Sequence, residues 1–397
     1  MNVPQEPRAS PRQRSARKSA VLMILGFVLG AVLVAGGVGL ALAWTALGRA
    51  PSGQRLERLR RSPNYQSGRF VNPAPVTPWS FRAAWETMQD YRRAEQRVPD
   101  VAPPVEMRRR GDYDSPPESG LRLTWLGHSS VLVEIDGTRI LLDPVFSHRL
   151  SPLSFTGPTR FFPSPIALGD LPAIDAVVIS HDHYDHLDYP SVVSLARQAM
   201  RFVVPLGVGS HLEYWGVPAT QVSELDWWDE TRIGGNLRVV ACPARHFSGR
   251  ALRGDQTLWA SFALLGPRSR VFFSGDTGPL PELEQVGERY GPFDVTLIKV
   301  GAYGRGWPDI HVNPEQAVEL HQLVRGRLLL PVHWGTVNLS YHGWTEPAER
   351  VFLAARRAGV ELALPKPGQM FEPSRSRASS HPGAPEHWWP AVPWEPR

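Results

Sequence analysis

The sequence predicts an α/β domain, mixed β-sheets with helices outside, carried behind an N-terminal transmembrane helix. Three observations predict it. From Leu121 onward, apolar strand-like runs alternate with helical runs, an order that lays helices on the faces of sheets. Candidate metal ligands recur at the C-terminal ends of four of those runs. Ahead of them, SAVLMILGFVLGAVLVAGGVGLALAWTAL (Ser19–Leu47) carries no charge and is long enough to cross a hydrocarbon core of roughly 30 Å.

Residues 1–18 form a basic tail, with Arg8, Arg12, Arg14, Arg17 and Lys18. The apolar run 19–47 is read as an uncleaved anchor. Ala41–Ala43 would suit a signal peptidase, but the run far exceeds the roughly 7–15 apolar residues of a signal peptide. Arg49, Arg55, Arg58, Arg60 and Arg61 follow it, so flanking positive charge is tied across the span. The short tail is taken as cytoplasmic and the catalytic domain as extracytoplasmic. The net charge of +5 reads as affinity for a membrane surface. No basic stripe interleaved with stacking aromatics is present, which sets nucleic acid aside as a partner. A single cysteine, Cys242, excludes an intrachain disulfide and a cysteine-rich metal knuckle.

Residues 48–120 are rich in Pro, Arg and Gly and read as a linker and an extension packed on the core. PWSFRAAWETMQDYRRAEQR is its helical candidate. The core spans 121–372. LRLTWLGHSSVLVEIDGTRILLDPVF gives two or three strands, with a tight hairpin turn at Asp136–Gly137. AIDAVVIS, RFVVPLG, LRVVACPA, QTLWASFALLG, SRVFFSGD, FDVTLIKVG and RLLLPVHWG read as further strands, and YPSVVSLARQAM and NPEQAVELHQLVRG as helices. No repeat at a solenoid or propeller period is visible. Residues 373–397 form a Pro/Trp-rich tail, containing Trp388, Trp389 and Trp394, that is expected to be irregular.

Chemistry concentrates in VVISHDHYDHLDYP, where His181, His183 and His186 stand among Asp182, Tyr184, Asp185 and Asp188. Uncompensated polar groups at the end of a buried strand cost free energy, so either a positive charge sits there or the cluster is a solvated loop. His246 follows LRVVACPAR, Asp276 ends SRVFFSGD and His333 ends RLLLPVH. Ligands at strand ends share one edge of the sheets. Imidazole suits zinc and related metals, and carboxylates compensate charge. His181 and His183 can point to one side of the loop, while Asp185 and His186 serve a neighbouring site. Three His with one Asp make one coordination sphere; Asp, two His and a shared Asp make a second. Two metals roughly 3.5–4 Å apart can hold a bridging hydroxide and polarise a phosphoryl or carbonyl oxygen. Asp182 and Asp188 are read as loop residues, His321 as lying on a helix face, and Trp227 and Trp228 as core. His148, His211, His342, His381 and His387 carry no argument for a role.

HDHYDH matches the HxHxDH signature of the metallo-β-lactamase fold. With TWLGHSSVLVEIDG, DPVFSHRLSP, ELDWWDE, GDTG, GPFDVTLIKVGAY, HVNPEQAV and HWGT, the chain from about residue 68 to about 370 resembles the family of N-acylphosphatidylethanolamine-hydrolysing phospholipase D. The resemblance implies an αββα sandwich and two Zn2+ ions: one on His181, His183 and His246, one on Asp185, His186 and His333, with Asp276 bridging. It puts Asp185, Asp276 and His311 nearest the chemistry. Asp143 would orient a ligand histidine, and Tyr184 and His128 would lie at the rim or just outside the ligands. The implied reaction is phospholipase D-like hydrolysis of N-acylphosphatidylethanolamine or a related phospholipid by a metal-bridging hydroxide. A lactonase or other ester or phosphodiester hydrolase of the same fold is the alternative, and a membrane-tethered binding or scaffold protein with an idle metal site is the alternative of another class.

Overall fold

The computed structural model describes residues 11–78, 80–198, 201–250, 253–373 and 387–390. The chain divides into two units, residues 1–47 and 48–397. In the first, helix α1 (Pro11–Ala43) contains Met23–Ala43, with a mean hydropathy of 2.4, long and apolar enough by length and composition to cross a membrane.

In the second unit the period of two along strands decides the layers. Leu121, Leu123 and Trp125 of β3 (Leu121–Gly127), with Val131, Val133 and Ile135 of β4 (Ser130–Ile135), face the large central core. Their alternates Leu126 and Leu132 face a second core instead, under α4 (Tyr189–Ala196) and α5 (Gly209–Tyr214). The turn at Asp136–Gly137 forms as expected. Ile135 pairs with Thr138, which opens β5 (Thr138–Leu142), and both turn residues have positive φ, 47° and 84°, as a two-residue hairpin of this twist requires.

The first sheet continues in parallel through β6 (Ala176–Val178), β7 (Arg201–Pro205) and β8 (Val222–Leu225). The second begins as an antiparallel meander, β9 (Glu230–Ile233), β10 (Leu237–Cys242), β11 (Ser261–Leu265) and β12 (Arg270–Phe273). It goes on in parallel through β13 (Phe293–Lys299), β14 (Gly326–Val332) and β15 (Glu361–Leu362). Helices α6 (Glu284–Tyr290), α7 (Pro314–Leu323) and α8 (Glu346–Ala358) make its crossovers, and β16 (Met370–Phe371) returns to pair with β3. The result is two seven-stranded mixed sheets with helices outside, and the halves share one plan: antiparallel hairpins, then parallel crossovers.

One expectation is corrected and two are sharpened. QTLWASFALLG is strand only from Ser261; its first half is a loop whose Leu258 and Ala260 N–H groups bond the carbonyls of Leu206 and Ser180. The extension is more ordered than a linker, with α2 (Gly53–Arg60), the hairpin β1 (Tyr65–Gln66) and β2 (Arg69–Phe70), and α3 (Phe81–Arg93), which is the expected helix. In the tail, Trp388 and Trp389 are buried: the Trp388 indole donates to the Leu364 carbonyl and packs on Trp334 and Trp125. Trp394 and His381 lie outside the described residues.

Candidate metal centre

The sequence order of the strands brings their C-terminal ends to one edge, and the ligand candidates converge there. His181 and His183 follow β6, His246 follows β10, Asp276 follows β12, and His333 follows β14 directly, with φ +65°. His181 Nε2 and His246 Nε2 lie 2.9 and 3.2 Å from His183 Nδ1. Three imidazole nitrogens that close, buried, need a proton or a cation among them. Burial keeps His181 well below its ordinary pKa and pushes His246 to about 3, so they face the gap as neutral lone-pair donors.

A second group adjoins the first. Asp185 Oδ2 lies 3.4 Å from His186 Nε2 and 3.3 Å from His333 Nε2. Asp276 Oδ2 stands between the groups, 3.5 Å from His186, 3.2 Å from His333 and 3.9 Å from His246. Burial would raise the Asp276 pKa, but His333 and His186 hold the carboxyl well below the usual range. The nitrogen and oxygen donors lie within 4.8 Å of one another in overlapping sets. Metals fit here: His186 Nε2, His333 Nε2 and Asp276 Oδ1 are buried without a hydrogen-bond partner among the described residues, and such orphans are rare unless an ion takes them.

The groups behind these candidate ligands fix their orientation. Asp143, fully buried after β5, accepts from His186 Nδ1 at 2.6 Å and from the Ser180 N–H and hydroxyl, each at 2.6 Å. His246 Nδ1 donates to the Ile310 carbonyl at 3.1 Å. His128, 1 % exposed, donates through Nε2 to Asp185 at 3.0 Å and so sits directly behind that carboxylate. His311 Nε2 lies 3.7 Å from Asp276, on the open side. Tyr184 does not join the cluster: its hydroxyl donates to the Arg250 carbonyl at 2.6 Å and its ring lies under the Arg250 guanidinium.

Four features escaped the sequence reading. Lys299, wholly buried at the end of β13, donates from Nζ to His311 Nδ1 at 2.6 Å, and burial pulls its pKa down to about 7 against the opposing pull of Asp276 and Asp185. Its signal was present, since it is one of three lysines in the chain and ends an apolar strand. Asn72 of the extension brackets His246 by accepting its N–H at 3.0 Å and donating to its carbonyl at 2.7 Å. Asp182 and Asp188 lie in the loop, as expected, and are buried anchors of it. Asp182 accepts from Gly249 N–H and the Thr257 hydroxyl and faces His211, and Asp188 accepts from Ser147 and Ser191. His211 and His342 also have roles, linking Asp182 to the Arg49 N–H and accepting the Ala302 N–H.

A cleft of about 860 Å³ opens onto His183, Asp185, His246, Asp276 and His311. Phe70, Val71, Pro75, Val76, Phe247 and Trp307 give it largely apolar walls.

Residues 138–334 match the Beta-lactamase superfamily domain. An uncharacterized protein of Mycobacterium tuberculosis is 46% identical over 341 residues, covering 83% of this chain and 88% of its own. N-acyl-phosphatidylethanolamine-hydrolyzing phospholipase D 1 of Caenorhabditis elegans is 38% identical over 304 residues, 71% of this chain and 85% of its own. Among solved structures, the isothiocyanate hydrolase from Delia radicum gut bacteria superposes with a TM-score of 0.51 at 16% identity, over 63% of this chain and 98% of that one, a likeness of fold. Two mixed sheets, a His/Asp cluster at their shared edge and relatives spanning most of the chain lead to one conclusion: this is a metal-dependent hydrolase of the metallo-β-lactamase superfamily, and it belongs to the family of N-acyl-phosphatidylethanolamine-hydrolysing phospholipase D.

Proposed function

We propose that the protein is a membrane-anchored, dinuclear zinc phosphodiesterase that hydrolyses N-acylphosphatidylethanolamine or a closely related phospholipid. One observation carries the reading: an apolar cleft of about 860 Å³ ends on a cluster of buried imidazoles and carboxylates. A lipid's acyl region suits the walls and its phosphodiester suits the charged floor. His181, His183 and His246 would hold one zinc, Asp185, His186 and His333 the other, and Asp276 both. Zinc bound there supplies Lewis acidity toward a phosphoryl oxygen and a nucleophile at neutral pH.

The chain's own residues do the rest. A charged Lys299 can only donate to His311 Nδ1, which leaves the His311 proton on Nε2, the nitrogen on the Asp276 side of the ring. His311 can therefore pass its Nε2 proton to the departing alkoxide as Nδ1 takes one from the Lys299 ammonium, which leaves a neutral imidazole and a neutral amine. His128 and Asp143 hold Asp185 and His186 in place. The helix Met23–Ala43 keeps the domain at the bilayer and raises the local concentration of substrate. The domain is assigned to the extracytoplasmic side, which a C-terminal reporter fusion tests.

Purified full-length protein incubated with N-acylphosphatidylethanolamine should release N-acylethanolamine and phosphatidic acid, with chelator-sensitive turnover restored by zinc. Turnover of lactones or simple esters with none of the phospholipid would refute the substrate assignment.

A further inference from the structure

Helix α3 leaves an aromatic stripe uncovered. Phe81 is 93% and Trp85 56% exposed, and the two lie one turn apart on one face. The opposite face of α3 clamps the loop 302–309. Arg305 binds buried Asp90 through two nitrogens, at 2.6 and 3.1 Å, and Gly306 comes so close that a Cβ there would stand 2.4 Å from the Thr87 hydroxyl. That loop and the segment 69–78 form walls of the cleft, and Thr77 N–H bonds Asp309 across it at 2.8 Å. The stripe thus begins three residues after Pro78, which lines the cleft, and lies on the side of α3 away from the 302–309 wall.

Charge selects what covers them. Arg82, Arg92 and Arg93 surround the stripe in exposed positions. Glu86 is matched by Arg82, and Asp90 is buried against Arg305. Among the described residues Arg92 and Arg93 have no carboxylate within ion-pair distance. A second copy docking through the same face would bring these arginines together, whereas anionic headgroups would neutralise them. Aromatic side chains beside arginines on an amphipathic helix are the composition of a bilayer interface.

We propose that the face of α3 bearing Phe81 and Trp85 docks on an anionic phospholipid bilayer and turns the cleft mouth toward the lipid surface. The purpose of this docking rests on the phospholipid reading above, but its test does not. Cys242 is fully buried, so a fluorophore on full-length Phe81→Cys reports one surface position. In phosphatidylglycerol-containing vesicles its emission should shift to the blue and be quenched by spin-labelled lipid, while a probe on Glu361→Cys of edge strand β15 should not respond. Phe81→Asp with Trp85→Asp should lower turnover of vesicle-embedded phospholipid at least tenfold and that of a short-chain, water-soluble phosphodiester less than twofold. An unquenched Phe81→Cys probe overturns the docking, as does a shift that follows protein concentration and not lipid, whichever substrates turn over. A quenched probe on a protein that leaves phospholipid intact upholds the docking and refutes the substrate reading.

Discussion

Asp143→Asn tests the ligand assignment without touching a ligand. In the wild type one carboxylate satisfies three donors: the Ser180 N–H at Oδ1, and the Ser180 hydroxyl and His186 Nδ1–H at Oδ2, each at 2.6 Å. An asparagine has one oxygen. If that oxygen keeps the Ser180 N–H, the amide NH2 faces His186 Nδ1 and drives the imidazole proton to Nε2, the nitrogen that must face a metal beside Asp185 and Asp276. If it turns to His186, the Ser180 N–H is stranded in the core at a cost of ~1–3 kcal/mol. Either arrangement should weaken zinc binding about 10–100-fold, the usual effect of losing such a supporting group, which is ~1.4–2.8 kcal/mol. Competition against a chromogenic chelator at neutral pH measures the affinity, and melting of the metal-free forms separates loss of fold from loss of site. If Asp143→Asn bound zinc as tightly as the wild type, His186 would not be a ligand through Nε2, and the two-site assignment would fail.

Three further outcomes are expected. Asp276→Asn should lose at least one metal equivalent by elemental analysis, and full occupancy would remove its bridging role. Arg55→Met should cost about 3 kcal/mol in urea denaturation, because Arg55 is the ion-pair partner of Glu224, whose side chain is 1% exposed; an unchanged midpoint would show that the Gly207 and Gly209 N–H groups suffice for that carboxylate. The third concerns pH. Burial pushes His321, which is bonded to Thr296 at 2.7 Å, to about 4, below its ordinary 6.5. The unfolded chain takes up that proton first, so stability is lost as pH falls from about 6.5 to about 4, at ~1.4 kcal/mol per pH unit. His321→Gln should flatten the acid limb of metal-free stability by that slope, and parallel curves would refute it.

The His/Asp cluster was legible because its parts follow the ends of apolar runs, so a three-dimensional edge is written as a one-dimensional rhythm. Asn72 was not legible. It bonds a residue 174 positions away from within a Pro-rich segment, and no local pattern marks such a contact. His128 sits behind Asp185 only because β3 and β4 share a tight turn at which its φ is +51°. The common plan of the two sheets left no visible repeat, since hydrophobic alternation preserves a layer without preserving residues. Trp388 and Trp389 looked like tail, and they became core because Trp334, next to His333, offers them a ring to pack on.

The motif loop shows why a metal site needs more acid than its ligands supply. Of three aspartates in HDHYDH-L-D, only Asp185 faces the cluster. Asp182 and Asp188 point into the protein, where backbone and hydroxyl donors from Gly249, Thr257, Ser147 and Ser191 compensate their burial. The loop has no strand or helix ladder, so these bonds join the turn bonds to the His183 carbonyl and the contacts of Asp143 and Tyr184 in holding His181, His183 and His186 in place. These two carboxylates do for the loop what a sheet ladder does for β6, and they do it without a metal. Ligands held this way lose little freedom when an ion arrives, so the fold and not the ion carries the ordering cost.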